Sequence, residues 1–357
     1  MSKKLDSVLD KIKSTYKIES FKAKEVCKDE VMMLDSPGLN FVLGGGWKHG
    51  YIYYLQGPES GGKTTLSTYI ASQIQKKYTG KNTILYVDFE YSLQPDHCEE
   101  MGLDVDENFI LLRPKSGEDG FQMITDLVDT GEIGLVVIDS ITTINSKAQV
   151  EDAFKATFGG GAAMLSNGLR GLNPHLYNNK CSLILVSQER QNVGVMYGPD
   201  FKGTGGSAPK FYSSWMSRIT RTGDITDPVT KDLIGIEIRC RNTKNKLGIP
   251  KRDANLKVYF HSGINSDDEY MDYLTTLGII TRAGAYYSCE EWGMKVRGME
   301  AVKDFLHERP ELYEKVKIQV NNLIMGHTIL DDNMMIDENG EVIEDAWSEY
   351  SNEDLDM

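Results

Sequence analysis

The stretch Gly57-Pro58-Glu59-Ser60-Gly61-Gly62-Lys63-Thr64-Thr65 satisfies G-x-x-x-x-G-K-[ST] at every fixed position. Glycines in such a turn let backbone N–H groups point inward around phosphate oxygens, where side chains would collide. Lys63 then places a positive charge at the β- and γ-phosphates, and Thr64 offers a hydroxyl to Mg²⁺. The helix that should follow adds the favourable end of its dipole. The chemistry expected from Gly57 to Thr65 is therefore the binding and cleavage of a nucleoside triphosphate.

Three further side chains fit that chemistry. In LVVIDS (135–140), four apolar residues bury a strand and Asp139 emerges at its carboxyl end, where ligands sit in open α/β sheets. There it can hold Mg²⁺ through water, with Ser140 beside it. TILYVDFE (83–90) offers two carboxylates to orient an attacking water, Asp88 and Glu90. Alternation puts both on one face and does not choose between them, although Glu90 lies nearer the rim and is preferred. Gln188, ending SLILVSQ, could sense the γ-phosphate through its neutral amide.

These residues need a sheet to gather them. Short β-rich runs recur at 51–57, 83–90, 109–114, 135–140, 182–188, 234–240 and 256–261, with helical stretches at 65–78 and 120–131. Near-continuous apolar strands alternating with helices predict an α/β fold with a buried, mostly parallel sheet. The later strands, with shorter links, suit an antiparallel edge. Leu5, Leu9, Ile12 and Tyr16 predict a helical arm near the N-terminus, packed on its own core or on a neighbour. After His261 the texture changes to helices around a small hairpin, a second compact unit ending near residue 330. No repeat of a solenoid type is present.

Composition narrows the class. Among 357 residues, 40% are hydrophobic, enough for a large core, yet no apolar run approaches the ~18 residues of a membrane span. The N-terminus lacks the apolar region of a signal peptide, and Cys27, Cys98, Cys181, Cys240 and Cys289 are widely spaced. A cytoplasmic protein with reduced thiols is expected. The net charge of −14 argues against nucleic acid at first sight, but eleven carboxylates and no Lys or Arg lie between Asp331 and Met357. Without that stretch, expected to be a solvated tail, the body carries only −3. Two glycine-rich segments, 151–170 and 189–212, carry Arg170, Arg190, Lys202 and Lys210 with Tyr197, a composition suited to a phosphate backbone.

GPESGGKTTL, YVDFEYSLQP, LVVIDSITTINSKAQVE, VSQERQNVGVMYG, GTGGSAPKFY, NTKNK and RAGAYYS stand in the same order as in the bacterial RecA recombinases, and the chain resembles that family from about Leu34 to Asn322. Its divergence elsewhere is similar to that of phage-encoded members. The resemblance implies a RecA-like P-loop ATPase core at 34–265 with a mostly parallel central sheet, a helical oligomerisation arm at 1–33, a small α+β C-terminal domain at 266–330 and an acidic disordered tail at 331–357. It implies that Gly57 to Thr65, with Lys63 and Thr64 foremost, hold ATP and Mg²⁺, that Asp139 is the Walker B aspartate, and that Glu90 rather than Asp88 is the catalytic carboxylate. Gln188 matches the glutamine linking γ-phosphate to DNA. Lys244 and Lys246 match lysines that reach a neighbour's ATP, and Phe211 the aromatic that relays nucleotide state. DNA-binding loops fall at about 152–161 and 189–207, with Ser166, Arg170, Arg190, Val193, Gly205, Gly206 and Ser207 at DNA-contacting positions.

Departures are local. An arginine expected between Ala163 and Met164 is missing, and Ser207 replaces an asparagine. Around the base, His97 and Phe260 stand where the family has tyrosines and Gln94 replaces an aspartate. The expected activity is DNA-dependent ATP hydrolysis by a homo-oligomeric helical filament on single-stranded DNA that pairs it with homologous double-stranded DNA. Single-strand-binding and mediator proteins are the accessory partners. A ring-forming RecA-family motor or helicase is the competing expectation; a small-molecule kinase would need an acceptor pocket and lid that the sequence does not offer.

Overall fold

The computed structural model describes residues 3–16, 30–151, 160–191, 201–203 and 206–325, and the short strands Thr328–Asp331, Met334–Ile336 and Val342–Ile343. Much of both expected DNA loops, including Val193 and Gly205, lies outside the described residues. The chain divides into two compact units, Met1–Val31 and Met32–Met357. The first contains helix α1 (Lys3–Tyr16), on which Leu5, Val8 and Tyr16 are exposed.

The larger unit opens with α2 (Pro37–Leu43), capped by the Ser36 hydroxyl, which accepts from the Leu39 N–H. There follow β1 (Ile52–Gly57), α3 (Lys63–Lys77), β2 (Thr83–Asp88), α4 (Pro95–Glu100), β3 (Phe109–Leu112), α5 (Gly117–Val128), β4 (Ile133–Asp139), α6 (Lys147–Glu151), α7 (Gly160–Asn178) and β5 (Ser182–Gln191). The remaining elements of the main sheet are β6 (Phe201–Gly203), α8 (Ala208–Tyr212), β7 (Trp215–Thr226), β8 (Leu233–Asn245), β9 (Asp253–Tyr259) and β10 (Gly263–Ile264). The strand order is β10-β9-β8-β7-β1-β5-β4-β2-β3, with β6 pairing β5. From β7 to β3 neighbours run parallel; β8, β9 and β10 extend the sheet antiparallel.

Alternation along the strands builds two cores, one on each face. Tyr53, Leu55, Ile84, Tyr86, Leu135, Val137, Ile184 and Val186 join Leu66, Ile70 and Ile74 of α3 in one cluster. Their strand neighbours Ile52, Tyr54, Leu85, Val87, Val136, Ile138, Leu183 and Leu185 join α5 and α7 in the other. Burial on both faces is why these runs are almost uniformly apolar. A third core unites α9 (Ser266–Thr276), α10 (Met299–His307), α11 (Pro310–Met325) and strands β12 (Tyr286–Cys289) and β13 (Met294–Arg297), while exposed β11 (Thr281–Ala283) pairs with β12 to complete a meander.

The structure adds detail that the sequence reading lacked. Strand β7 was not foreseen, because its second half is polar and half-exposed and only Trp215–Ile219 is substantially buried. Of the segment 151–170, residues from Gly160 onward are helical: Leu165, Leu169, Leu172 and Leu176 give α7 a buried stripe at helical spacing. Gly168 is small because a Cβ there would lie 2.4 Å from the Phe121 ring. The small hairpin expected after His261 is part of a three-stranded meander. Its unit shares one compact body with the main sheet, as α11 packs on α2 and Arg252 lies over the Phe41 ring at 4.5 Å while donating to the Met325 carbonyl. Strands Met334–Ile336 and Val342–Ile343 fall within the stretch expected to form a structureless tail.

Candidate active site

Strand β1 lies between β5 and β7 and delivers Gly57 to the carboxyl edge of the sheet. The glycine is dictated by the sheet as much as by any phosphate: a Cβ there would sit 2.0 Å from the Ile219 carbonyl oxygen of β7. Gly62 has φ 87° and faces Ile236 and Ile238, each 2.9 Å from a built Cβ, so it is excluded from substitution by both conformation and space. Pro58, Glu59, Ser60 and Gly61 complete the turn, with the Gly61 N–H donating to the Pro58 carbonyl at 3.3 Å. Lys63 is buried, and its ammonium donates to that same carbonyl at 2.6 Å. Burial draws its pKa down, opposed by the nearby carboxylates of Asp139, Glu90, Glu189 and Glu59. An ammonium held among carboxylates is ready for an anionic ligand. Thr65 continues α3 behind it.

The Thr64 hydroxyl donates to Asp139 Oδ2 at 2.7 Å, and the buried Tyr86 hydroxyl donates to the same oxygen at 3.0 Å. Burial raises the Asp139 pKa, while these two donors counter the shift. A hydroxyl and a carboxylate at this spacing, at the mouth of a phosphate-binding turn, fit Mg²⁺, which uses one or two protein oxygens and leaves its other positions to water and phosphate.

The geometry separates Asp88 from Glu90. Asp88 is buried and accepts from the N–H groups of Glu90, Ser92 and Leu93 and from Arg113 Nε. Its oxygens are committed to the turn. Glu90, two residues beyond β2, instead accepts from the Gln188 side-chain amide at 3.1 Å. The Gln188 N–H in turn donates to Thr142 Oγ1 at 3.1 Å.

A cleft beside this centre is lined by Thr64, Tyr86, Asp88, Ser92, Leu93, Gln94, His97 and Asp139. It therefore brings His97 and Gln94, both expected at the base, beside Thr64 and Asp139. Phe260 is half-buried against the α3-side core and does not line that cleft. His97 approaches Glu100 at 3.8 Å.

The residues expected to act at a distance lie elsewhere. Lys244, on β8, donates to the carbonyls of Lys210, Phe211 and Ser213 at 2.6, 3.3 and 2.6 Å. It thereby closes the C-terminal end of α8, and its pKa is lowered by burial and by Lys246. Lys246 is exposed, and the Phe211 ring, 74% exposed, projects from α8. Ser166 is half-buried and Arg170 exposed on α7, where Arg170 Nε donates to the Tyr212 hydroxyl at 3.2 Å. Arg190 belongs to β5 and pairs in register with Lys202 of β6. Gly206 (φ 75°) and exposed Ser207 lead into α8, and a Cβ on Gly206 would lie 3.2 Å from that of Ala162 on α7. The two expected DNA segments thus meet at their described ends.

Sequence reasoning missed three contributors. Tyr86 reads as one more apolar strand residue. Arg113 leaves β3 in an unremarkable position. Glu189 and Arg218 form a half-buried pair at 2.9 Å across the end of β1; only the adjacency of Glu189 to Gln188 hints at it. Among the described residues no cluster of three metal-ligating side chains exists, and no helix is long and apolar enough to cross a membrane. The four described cysteines are buried and unpaired.

Comparison with known sequences agrees with this geometry. The family model of the RecA N-terminal domain matches residues 3–265. Protein RecA of a Wolbachia strain from Drosophila simulans is 32% identical over 344 residues, covering 95% of this chain and 94% of its own. Protein RecA of Thermus aquaticus is 34% identical over 293 residues, covering 82% and 84% respectively. That of Lactobacillus acidophilus is 32% identical over 320 residues, or 89% and 85%.

Proposed function

The chain belongs to the RecA family, and from that premise we propose that it is a DNA-dependent ATPase which coats single-stranded DNA as a helical filament and exchanges it into a homologous duplex. One observation carries the reading furthest. Strand β5 places Gln188 on Glu90 and then runs directly into Arg190 and the glycine-rich segment expected to grip DNA. A nucleotide-dependent change at Glu90 therefore has a single β-strand through which to reach the DNA.

In this reading Gly57 to Thr65 cradle the triphosphate, with Lys63 exchanging the Pro58 carbonyl for phosphate oxygens. Thr64 and Asp139 hold Mg²⁺, which neutralises charge on the β- and γ-phosphates when bound. Glu90 orients the attacking water and accepts its proton. His97, Gln94 and Phe260 face the base, and Lys244 and Lys246 reach the nucleotide of the adjoining subunit. Charge-assisted contacts across that boundary exist only while the γ-phosphate does. Hydrolysis then loosens both the subunit contact and the hold on DNA. Ser166, Arg170, Arg190, Val193, Gly205, Gly206 and Ser207 contact the DNA backbone, leaving sequence comparison to base pairing.

A strand-exchange assay between homologous DNAs tests the proposal. Exchange that requires ATP, with helical filaments on single-stranded DNA in electron micrographs, is the expected result. Closed rings with no exchange would replace the recombinase by a ring motor.

A further inference from the structure

We propose that Arg113 and Asp88 are positioning residues for hydrolysis, a brace that sets Glu90 and the base-facing side chains together. The inference rests on the reading of Glu90 as the hydrolytic carboxylate. The segment Phe89–Gln94 leaves β2 with Phe89 buried in one core and Leu93 in the other. Between them Tyr91 adopts φ 58°, a left-handed conformation that a side chain such as tyrosine occupies only when its surroundings enforce it. Asp88 does the enforcing. One carboxylate oxygen accepts the Glu90 and Ser92 N–H groups on either side of Tyr91, at 3.1 and 3.4 Å. The other accepts Leu93 N–H at 3.2 Å and Arg113 Nε at 3.2 Å.

Arg113 closes the loop of contacts. Its Nη2 donates to the Leu93 carbonyl at 3.0 Å, so one guanidinium bridges the carboxylate and the far end of the same turn. Its Cζ also lies 6.0 Å from the Tyr91 ring centroid. The braced turn carries Glu90 near its start, against Gln188, and Gln94 at its end, beside His97 in the cleft. A shift of this turn moves the hydrolytic carboxylate and the base contacts as one body. A general structural role would lower stability alone; this arrangement also links turnover to base discrimination.

The test compares steady-state DNA-stimulated hydrolysis of ATP and GTP by the full-length protein and by Arg113→Gln, Arg113→Lys, Asp88→Asn and Glu90→Gln, each checked by thermal melting. Glu90→Gln should lose about 10²-fold or more in kcat and keep the ATP-to-GTP ratio of KM. Arg113→Gln should lose about 10- to 100-fold in kcat and also change that ratio, with Arg113→Lys intermediate. Asp88→Asn, which turns an acceptor into a donor facing N–H groups, should follow Arg113→Gln. An inactive Glu90→Gln beside an Arg113→Gln with unchanged kcat and unchanged selectivity overturns the brace. An active Glu90→Gln overturns the assignment of Glu90 instead.

Discussion

The side-chain amide of Gln188 donates to Glu90 Oε1 at 3.1 Å although their strands, β5 and β2, are separated by β4. The contact passes over the end of β4, where Asp139 stands. It joins Glu90, the proposed hydrolytic group, to the strand that runs toward the segment proposed to bind DNA. Gln188→Ala should therefore remove most of the stimulation of ATP hydrolysis by single-stranded DNA, by about tenfold or more, and leave the DNA-independent rate near wild type. Hydrolysis rates with and without DNA decide the matter; equal stimulation in the variant would disconnect the two sites.

Lys63 is buried among four carboxylates, and in the proposed reading its charge is the local counterweight for an incoming triphosphate. Lys63→Ala should abolish ATP-dependent strand exchange and reduce kcat at least about 10²-fold. Full exchange by this variant would refute the mechanism.

Lys244 and Lys246 can be separated by what each holds in its own chain. Lys244 ties the carbonyls that end α8, whereas the Lys246 side chain is exposed. Both alanine variants should weaken ATP-dependent filament assembly. Only Lys244→Ala should also speed amide hydrogen exchange at residues 208–213; equal exchange in the two variants would remove Lys244 as the clasp on Phe211.

Glu269 supplies a pH dependence. It is buried where α9 meets α2, and burial pushes its pKa up to about 8, assisted by Asp272 and opposed by a hydrogen bond with Ser36 and by Lys257. Tyr69, Tyr270, Tyr273 and Asp35 complete the surrounding titratable groups. The folded state retains a proton that the unfolded chain releases near the ordinary value of 4.5, so this stabilisation is full below that value and fades as pH rises toward 8. Wild-type Tm should fall by about 2–4 °C or more between pH 6 and 9 relative to Glu269→Gln. Parallel melting curves at both pH values would contradict it.

The glycine-rich turn and the parallel sheet were legible because each rests on a local pattern: glycines at fixed offsets, or apolar runs buried on two faces. The preference for Glu90 over Asp88 rested on its rim position and on the resemblance, since period-two alternation treats the two alike; the reason Asp88 is committed elsewhere, the N–H groups of the turn folded back on it, was not legible. Strand β7 escaped for a related reason. Its partner β1 lies some 160 residues earlier in the chain, and the carbonyl of Ile219 that crowds Gly57 leaves no trace in either segment. The glycines Gly160, Gly161, Gly168 and Gly171 argue locally for a loop, and the helix that follows the first expected loop keeps Gly168 because the Phe121 ring packs on it.

That crowding has an evolutionary corollary. Any lineage or library meets a wall at position 57, where sheet spacing vetoes every residue but glycine whatever the ligand. In the proposed reading a change of base preference falls to positions such as Gln94 and His97, which line the open cleft.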